Sequence, residues 1–190
     1  MADRKQMGMG VIGRPDITLK RNFRWTFEVS GFCGSDANKI SESFVKVAAR
    51  PSLDVDEIEI NHLNAKMFLP GKATWDTLSV TYYDAATDEM RNLWNWLVTV
   101  HEFTDPVNLR QGTKKDWAAT GVLNMYDSTG GLIESWQLLN MFPKAVDFGE
   151  LAYDDGEVST IALTLRYSDV KYRSYCPDYT PVGCYTSCGA

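Results

Sequence analysis

A change of hydrophobic period between residues 74 and 101 constrains the fold of this chain more than any other feature. Leu78, Val80 and Tyr82 alternate with hydroxyl-bearing residues, which is the period of two expected of a strand with one buried face. After Asp84 the apolar residues follow helical spacing instead. They are Met90, Leu93, Trp94, Leu97 and Val100. This spacing predicts an amphipathic helix that packs through Met90, Leu93, Trp94 and Leu97.

The ends of this helix carry recognisable signals. Asp84 or Thr87 can cap its first amides, and acidic residues follow where the helix dipole favours negative charge. His101 and Pro106 are stop signals. No other stretch has a convincing helical period, so we predict a mainly β architecture with one helix covering an open side.

Other stretches carry strand patterns or turn signals. Alternation between residues 23 and 29 and between residues 160 and 167 predicts two half-buried strands. The DSTGG turn predicts a hairpin between residues 122–126 and 132–139, which Pro143 would end. We expect a solvated loop at residues 102–117 and an irregular tail after Tyr172.

The segment from Pro51 to Thr74 begins with acidic residues and continues with basic ones. A candidate strand spans residues 55–61, but no period fixes the faces of Met67, Phe68 and Leu69. A long projecting hairpin and an ordinary connection both fit this pattern.

Length and charge limit the classes of function. A chain of 190 residues suits one domain. The net charge of −6 argues against a binder that holds nucleic-acid phosphates on a basic face. No apolar run reaches the ~20 residues of a membrane helix, and the start lacks a signal-peptide core. We therefore expect folding in a cytoplasm, where the cysteines remain thiols. These are Cys33, Cys176, Cys184 and Cys188.

Candidate chemical motifs are weak. The G-x-G-x-x-G at Gly8, Gly10 and Gly13 lacks a preceding strand and a following helix, so it predicts an arm rather than a dinucleotide site. Of the two histidines, His101 lies at a predicted helix end, where such a residue more often serves the dipole or the surface, and His62 lies in a predicted loop. The spacing of the C-terminal cysteines differs from common zinc sites, and acidic pairs such as Asp154 and Asp155 lack a calcium-loop pattern. We expect no enzymatic activity, no metal and no cofactor.

A β domain with arms, a protruding loop and little chemistry favours assembly. Exposed strand edges are liabilities in a monomer but become binding elements when identical copies pair edge to edge.

The order of these pieces resembles the tail tube proteins of contractile-tailed bacteriophages, which are related to the inner-tube proteins of contractile injection systems. The matching pieces are FRWTFEVSG, SFVKVAARPS, DVDEIEIN, LPGKATWDTLSVTYYD, TDEMRNLWNWL and the closing strands from GVLNMYDSTGG to SDVKY. The similarity covers roughly residues 20–172.

The resemblance implies a sandwich of two antiparallel sheets, with six copies per ring and rings stacked into a tube with a continuous inner β-barrel. It implies an arm at 1–22, a tube domain at 23–172 and a tail at 173–190. Within the domain, residues 51–74 would reach the adjoining ring. The contact residues would be Pro51, Asp54, Asp56, Glu57, Lys66, Met67, Phe68, Leu69 and Lys72.

The resemblance also implies a function and partners. Genomic DNA would pass through a neutral or acidic bore without specific binding. The tube would contact sheath, baseplate or tube-initiator, tape-measure and terminator proteins in a virion tail assembled in the host bacterial cytoplasm. Two alternatives stay open, an inner tube of a phage-derived injection system and a monomeric β-barrel carrier of a small ligand.

Overall fold

The computed structural model describes residues 20–35, 37–103, 112–153 and 156–175. The strands are β1 (Trp25–Ser30), β2 (Lys39–Ile40), β3 (Val45–Ala48), β4 (Leu53–His62), β5 (Ala65–Trp75), β6 (Leu78–Tyr83), β7 (Ala119–Tyr126), β8 (Leu132–Asp147), β9 (Thr160–Arg166) and β10 (Asp169–Ser174). The helices are α1 (Asp88–Val100) and α2 (Lys114–Trp117), and a 3₁₀ turn covers Glu42–Phe44.

Eight strands form one antiparallel sheet in the order β2-β1-β7-β8-β9-β6-β3, with β10 paired to β8 as a branch. The first half of β8 pairs with β7 and β10, and its last six residues pair with β9. β8 thus joins two half-sheets that share one core. β4 and β5 form a separate two-stranded sheet.

The pairing of β8 with β7 ends at Ala119↔Met141, just before Pro143, as the sequence predicts, but the strand itself does not end there. The strand continues to Asp147, and the register against β9 shifts between Pro143 and Ala145. A proline has no N–H to give to a ladder, so it is tolerated at such an irregularity. β8 is therefore long enough to serve both half-sheets.

The core draws alternate side chains from both half-sheets and closes with α1. The fully buried residues include Phe27 on β1, Tyr82 on β6 and Leu138 on β8. The mainly β prediction with antiparallel sheets is confirmed.

Helix α1 begins at the predicted signal. Thr87 is its N-cap and accepts a hydrogen bond from the Met90 amide at 3.4 Å. The Glu89 carboxylate in the first turn accepts a bond from the Ser41 amide at 2.7 Å, which ties the helix to the segment after β2. Met90 and Leu93 are buried and Leu97 is half-buried.

The predicted packing of Trp94 is wrong. Trp94 is 44% exposed, whereas Trp96 is fully buried, stacks on Phe32 with centroids 5.1 Å apart and donates its indole N–H to the Trp117 carbonyl at 2.8 Å. Residues two apart on a helix point about 200° apart, so only one of the two tryptophans can face the core. Trp96 is the one that faces the core because its indole N–H finds an acceptor there, the Trp117 carbonyl on α2.

The sequence also missed three elements. β5 has no alternation, and β10 extends past Tyr172 into the expected tail. α2 lies in the expected solvated loop and begins with a capping box between Thr113 and Asp116. A helix of four residues is too short to show a period. The glycine motif, Pro106, the pair Asp154–Asp155 and Cys176, Cys184 and Cys188 lie outside the described residues.

Candidate assembly surface

The segment after Pro51 is a long hairpin. β4 has 10 residues and β5 has 11, and they pair from Leu53↔Trp75 at the base to His62↔Ala65 at the turn. Apart from the half-buried Gly71 and Trp75, every residue of the hairpin with a described side chain is exposed. Of the two interpretations left open by the sequence, the projecting hairpin is the one observed.

A β-bulge interrupts this hairpin near its middle. Val55 pairs with Ala73 and Glu57 with Pro70, so β5 uses one residue more than β4. A Cβ atom at Gly71 would lie 2.9 Å from the backbone oxygen of Asp56. The bulge therefore needs a glycine at this point, because the obstructing atom belongs to the backbone.

The apolar face of the hairpin changes sides at the bulge. Directly paired residues lie on the same face, and successive residues of β4 alternate between faces. Near the base, Leu53 and Val55 share a face with Trp75, and Asp54 and Asp56 lie on the other.

Beyond the bulge the arrangement is reversed. The apolar residues now lie on the face of Asp54 and Asp56, and we call them the distal patch: Ile58, Ile60, Met67 and Leu69. The face that was apolar at the base carries Glu57, Glu59, Lys66 and Phe68, with Lys66 and Glu59 paired at 2.7 Å. Lys72 lies at the bulge. The predicted contact residues thus separate into two faces that the sequence did not distinguish.

The base of the hairpin is fixed to the domain. Trp75 packs on Tyr167 with ring centroids 6.1 Å apart. The Ser52 hydroxyl donates to the Asp76 carboxylate at 2.9 Å, and the Asp76 amide donates to the Ser52 carbonyl at 3.0 Å. The base face that carries Trp75 is therefore the face that meets the subunit's own core.

A buried acid on β8 connects several segments to this base. Glu134 is 2% exposed, and its carboxylate accepts hydrogen bonds from Lys20, which precedes β1, and from Arg50, which precedes the hairpin. The Tyr172 hydroxyl on β10 donates to it at 3.4 Å. Burial raises the pKa of Glu134, but hydrogen bonds, those from Lys20 and Arg50 among them, outweigh burial and hold this pKa below its ordinary value.

A second apolar surface lies beside α1. Trp94 contacts Phe103 and Phe148, with centroids 5.5 and 6.1 Å apart, and all three rings are exposed by more than two fifths. We call these three residues the aromatic cluster. An open cavity of about 440 Å³ adjoins it, with Met90 and Ile161 among the lining residues.

The main sheet has open edges. Among the described residues, β3 ends the strand order at one side, and β10 pairs with β8 along one of its two edges. The side chains of β10 are mostly exposed. The backbone N–H and C=O groups along the open edges of β3 and β10 could pair with another strand.

The described ranges contain no cluster of metal-ligating side chains. No set of three His, Cys, Asp or Glu side chains there could hold a metal ion. His62 is the last residue of β4, and His101 lies exposed just after α1. Burial raises the pKa of Tyr82. Neither helix in the described part has the length and hydrophobicity needed to cross a bilayer.

No protein-family model matches the sequence, and a search of curated proteins finds no significant match. Solved structures do share the fold. A chain of the anti-feeding prophage (AFP) baseplate, refined with six-fold symmetry, is 14% identical over 83% of this chain and 97% of its own, with a TM-score of 0.61.

Two further structures extend this comparison. A chain of the PVC contractile injection system, in its extended sheath–tube complex, is 14% identical over 83% of this chain and 93% of its own, with a TM-score of 0.59. The SPP1 tail tube is 8% identical over 84% of this chain and 81% of its own, with a TM-score of 0.51. The chain therefore has the fold of components of contractile injection systems and of a phage tail tube, which confirms the sequence resemblance at the level of the fold.

Proposed function

We propose that this protein is the subunit of a hollow tube in a contractile phage tail or in a phage-derived contractile injection system. The observation that carries the proposal is the β4–β5 hairpin, whose two faces both expose apolar side chains, on a fold shared with the AFP and PVC chains. Exposed apolar patches of a few hundred Å² mark binding surfaces. A protein that builds such a hairpin gains stability when copies cover it.

Six copies would form a ring. The open edges of β3 and β10 would pair with strands of neighbouring copies, so that the half-sheets continue into one inner barrel. Closure removes the edges that would otherwise aggregate. The six-fold symmetry of the AFP baseplate supports this number of copies.

Rings would stack through the hairpin. A 10-residue strand spans about 33 Å, enough to reach beyond the subunit's own boundary. The contact runs head to tail, so it repeats along an axis without closing.

The tube would act as a passive conduit. In a virion tail the cargo is genomic DNA, which slides past neutral or acidic side chains that offer phosphates no cation. The net charge of −6 supports such a bore. Sheath, baseplate or initiator, tape-measure and terminator proteins would be partners. The subunit itself would have no enzymatic activity and no cofactor.

Electron microscopy of the purified chain tests the proposal. The wild-type chain should form rings and tubes at high concentration. In a shortened variant, residues 54–74 are replaced by Asn-Gly, which closes the paired residues Leu53 and Trp75 with a two-residue turn. This variant should keep the melting temperature of the domain and lose tubes.

The contrary outcomes are specific. Wild-type chain that stays monomeric at all concentrations, even when seeded with a matching initiating complex, would refute the tube. Monomers that hold a small molecule in a closed apolar cavity would favour the carrier.

A further inference from the structure

The distal patch lies on the face of the hairpin opposite to the face that meets the subunit's own core. Trp75 places the base face against Tyr167, and beyond the bulge that same face carries Glu57 and Glu59. An extension of the base contact would therefore bring charged side chains to the core and leave the distal patch uncovered. The distal patch is built for a surface outside its own subunit.

The distal patch is compact and purely apolar. Ile58 pairs directly with Leu69, and Ile60 with Met67. Directly opposed side chains have Cβ atoms about 5 Å apart, and successive pairs on one face lie about 7 Å apart. Four adjacent aliphatic side chains therefore form one continuous surface, with Met67 59% exposed.

The aromatic cluster adjoins an open cavity with apolar residues in its lining. Trp94 and Phe148 line an open cavity of about 440 Å³ whose lining also includes Ala85, Met90 and Ile161. Cavities of about 300–1,000 Å³ accept ligands of drug size, so this one can accept two aliphatic side chains. Asp84, Asp88 and Arg91 also line the cavity, and Arg91 is paired with Asp88 at 2.9 Å. The unpaired charge that remains is negative and would repel an incoming carboxylate.

We infer that the distal patch of one copy packs into the cavity beside Trp94 of a copy in the adjoining ring. The inference rests on the proposed tube function and specifies which face of the hairpin makes the contact and where it binds. Both surfaces belong to the same chain but to different elements, so the contact is heterologous and each subunit gives one surface and receives the other. It also explains why a tryptophan lies on the outer side of α1.

Charge substitution with rescue tests the pairing. Met67→Glu would replace an apolar contact with a carboxylate at a cavity whose charged lining is negative overall. We therefore expect at least a tenfold loss of tube that sediments in the ultracentrifuge. Trp94→Arg should cause a comparable loss. The two together place a guanidinium opposite the new carboxylate and should restore tubes.

Asn61→Glu is the matched control. Asn61 adjoins Ile60 of the distal patch and is exposed, but it lies on the opposite face, paired with Lys66. This variant should form tubes like the wild type. Circular dichroism melting of all variants should match the wild type, because each substituted side chain lies outside the core.

The outcomes separate this inference from the tube itself. Wild-type chain that forms no rings or tubes refutes the proposed function. If the wild type forms normal tubes, three results would each overturn the inference while the tube stands. These are Met67→Glu tubes that are unaffected, an equal loss in Asn61→Glu, and a double variant without rescue. A Trp94→Arg variant that forms normal tubes but loses binding of a different protein would assign the cavity to that protein instead.

Discussion

The β7–β8 pair and the β4–β5 pair have similar backbones and opposite surroundings. Both are long antiparallel hairpins whose registers shift at bulges. In β7 every second residue is buried, from Ala119 to Met125, whereas almost all of β4 and β5 is exposed. Strand pairing alone therefore does not decide what a hairpin does; the covering of its faces decides it.

The phase of the apolar residues explains this difference. β7 keeps one phase of buried residues throughout, so its buried side chains all lie on one face, and only Val122 and Tyr126 place apolar side chains on the other. In β4 the consecutive acids Asp56 and Glu57 shift the phase, and Gly71 on β5 lets the bulge form at the same level. β4 therefore places apolar side chains on one face near its base and on the opposite face beyond the bulge, so it can contact two different surfaces.

Truncation of one aliphatic residue in each hairpin should give the largest difference. Leu138→Ala leaves a cavity in a fully buried site, and we expect the free energy of unfolding to fall by about 2–5 kcal/mol. Ile58→Ala, the matched control, should change it by less than about 0.5 kcal/mol in the isolated subunit. Urea denaturation at concentrations below assembly measures both. If both variants lose the same free energy of unfolding, Ile58 is buried in the isolated subunit, contrary to its exposure in the structure.

Removal of the buried charge of Glu134 should have an intermediate effect. Glu134→Gln keeps the shape and weakens the bonds to Lys20 and Arg50, both half exposed, so we expect a loss of about 1–2 kcal/mol at pH 7. Glu59→Gln in the hairpin is the control and should cost less. A larger loss for Glu59 would reverse the order of the two regions.

The pH dependence of this loss follows from the lowered pKa of Glu134. A carboxyl group with a lowered pKa in the folded state stabilises the fold above its unfolded pKa, and this contribution is lost as the pH falls through the folded pKa. The difference between the wild type and Glu134→Gln should therefore shrink between pH 7 and about pH 3. A constant difference over this range would show that the ion pairs do not stabilise the fold.

Loss of the ion pair on the hairpin should have the smallest effect. Lys66 and Glu59 are 2.7 Å apart but open to solvent, so Lys66→Ala should cost less than about 0.5 kcal/mol. The effect should disappear in 1 M salt, where exposed charges are screened. An effect as large as that of Glu134→Gln would contradict the exposure of this pair.

Much of the candidate surface could be found in the sequence, but its faces could not. The charge pattern between Pro51 and Thr74 fitted both a projecting hairpin and an ordinary connection, and the family resemblance favoured a segment that reaches outward. The consecutive acids at Asp56 and Glu57 were a visible sign of the phase shift. The partner strand was missed because its apolar residues, Met67, Phe68 and Leu69, are consecutive and have no period. Only the register against β4 assigns them to opposite faces.

The sequence by itself determined the local elements whose periods run unbroken: the alternating strands β1, β6 and β9, and the helix that begins at Thr87. These depend on side chains a few residues apart, which is information that the chain order contains. The tertiary structure decided which tryptophan faces the core, how far β8 continues past Pro143, and which segments Glu134 joins. Each of these depends on groups distant in sequence, such as the Trp117 carbonyl or the Lys20 ammonium, whose positions are fixed only when the sheets have packed.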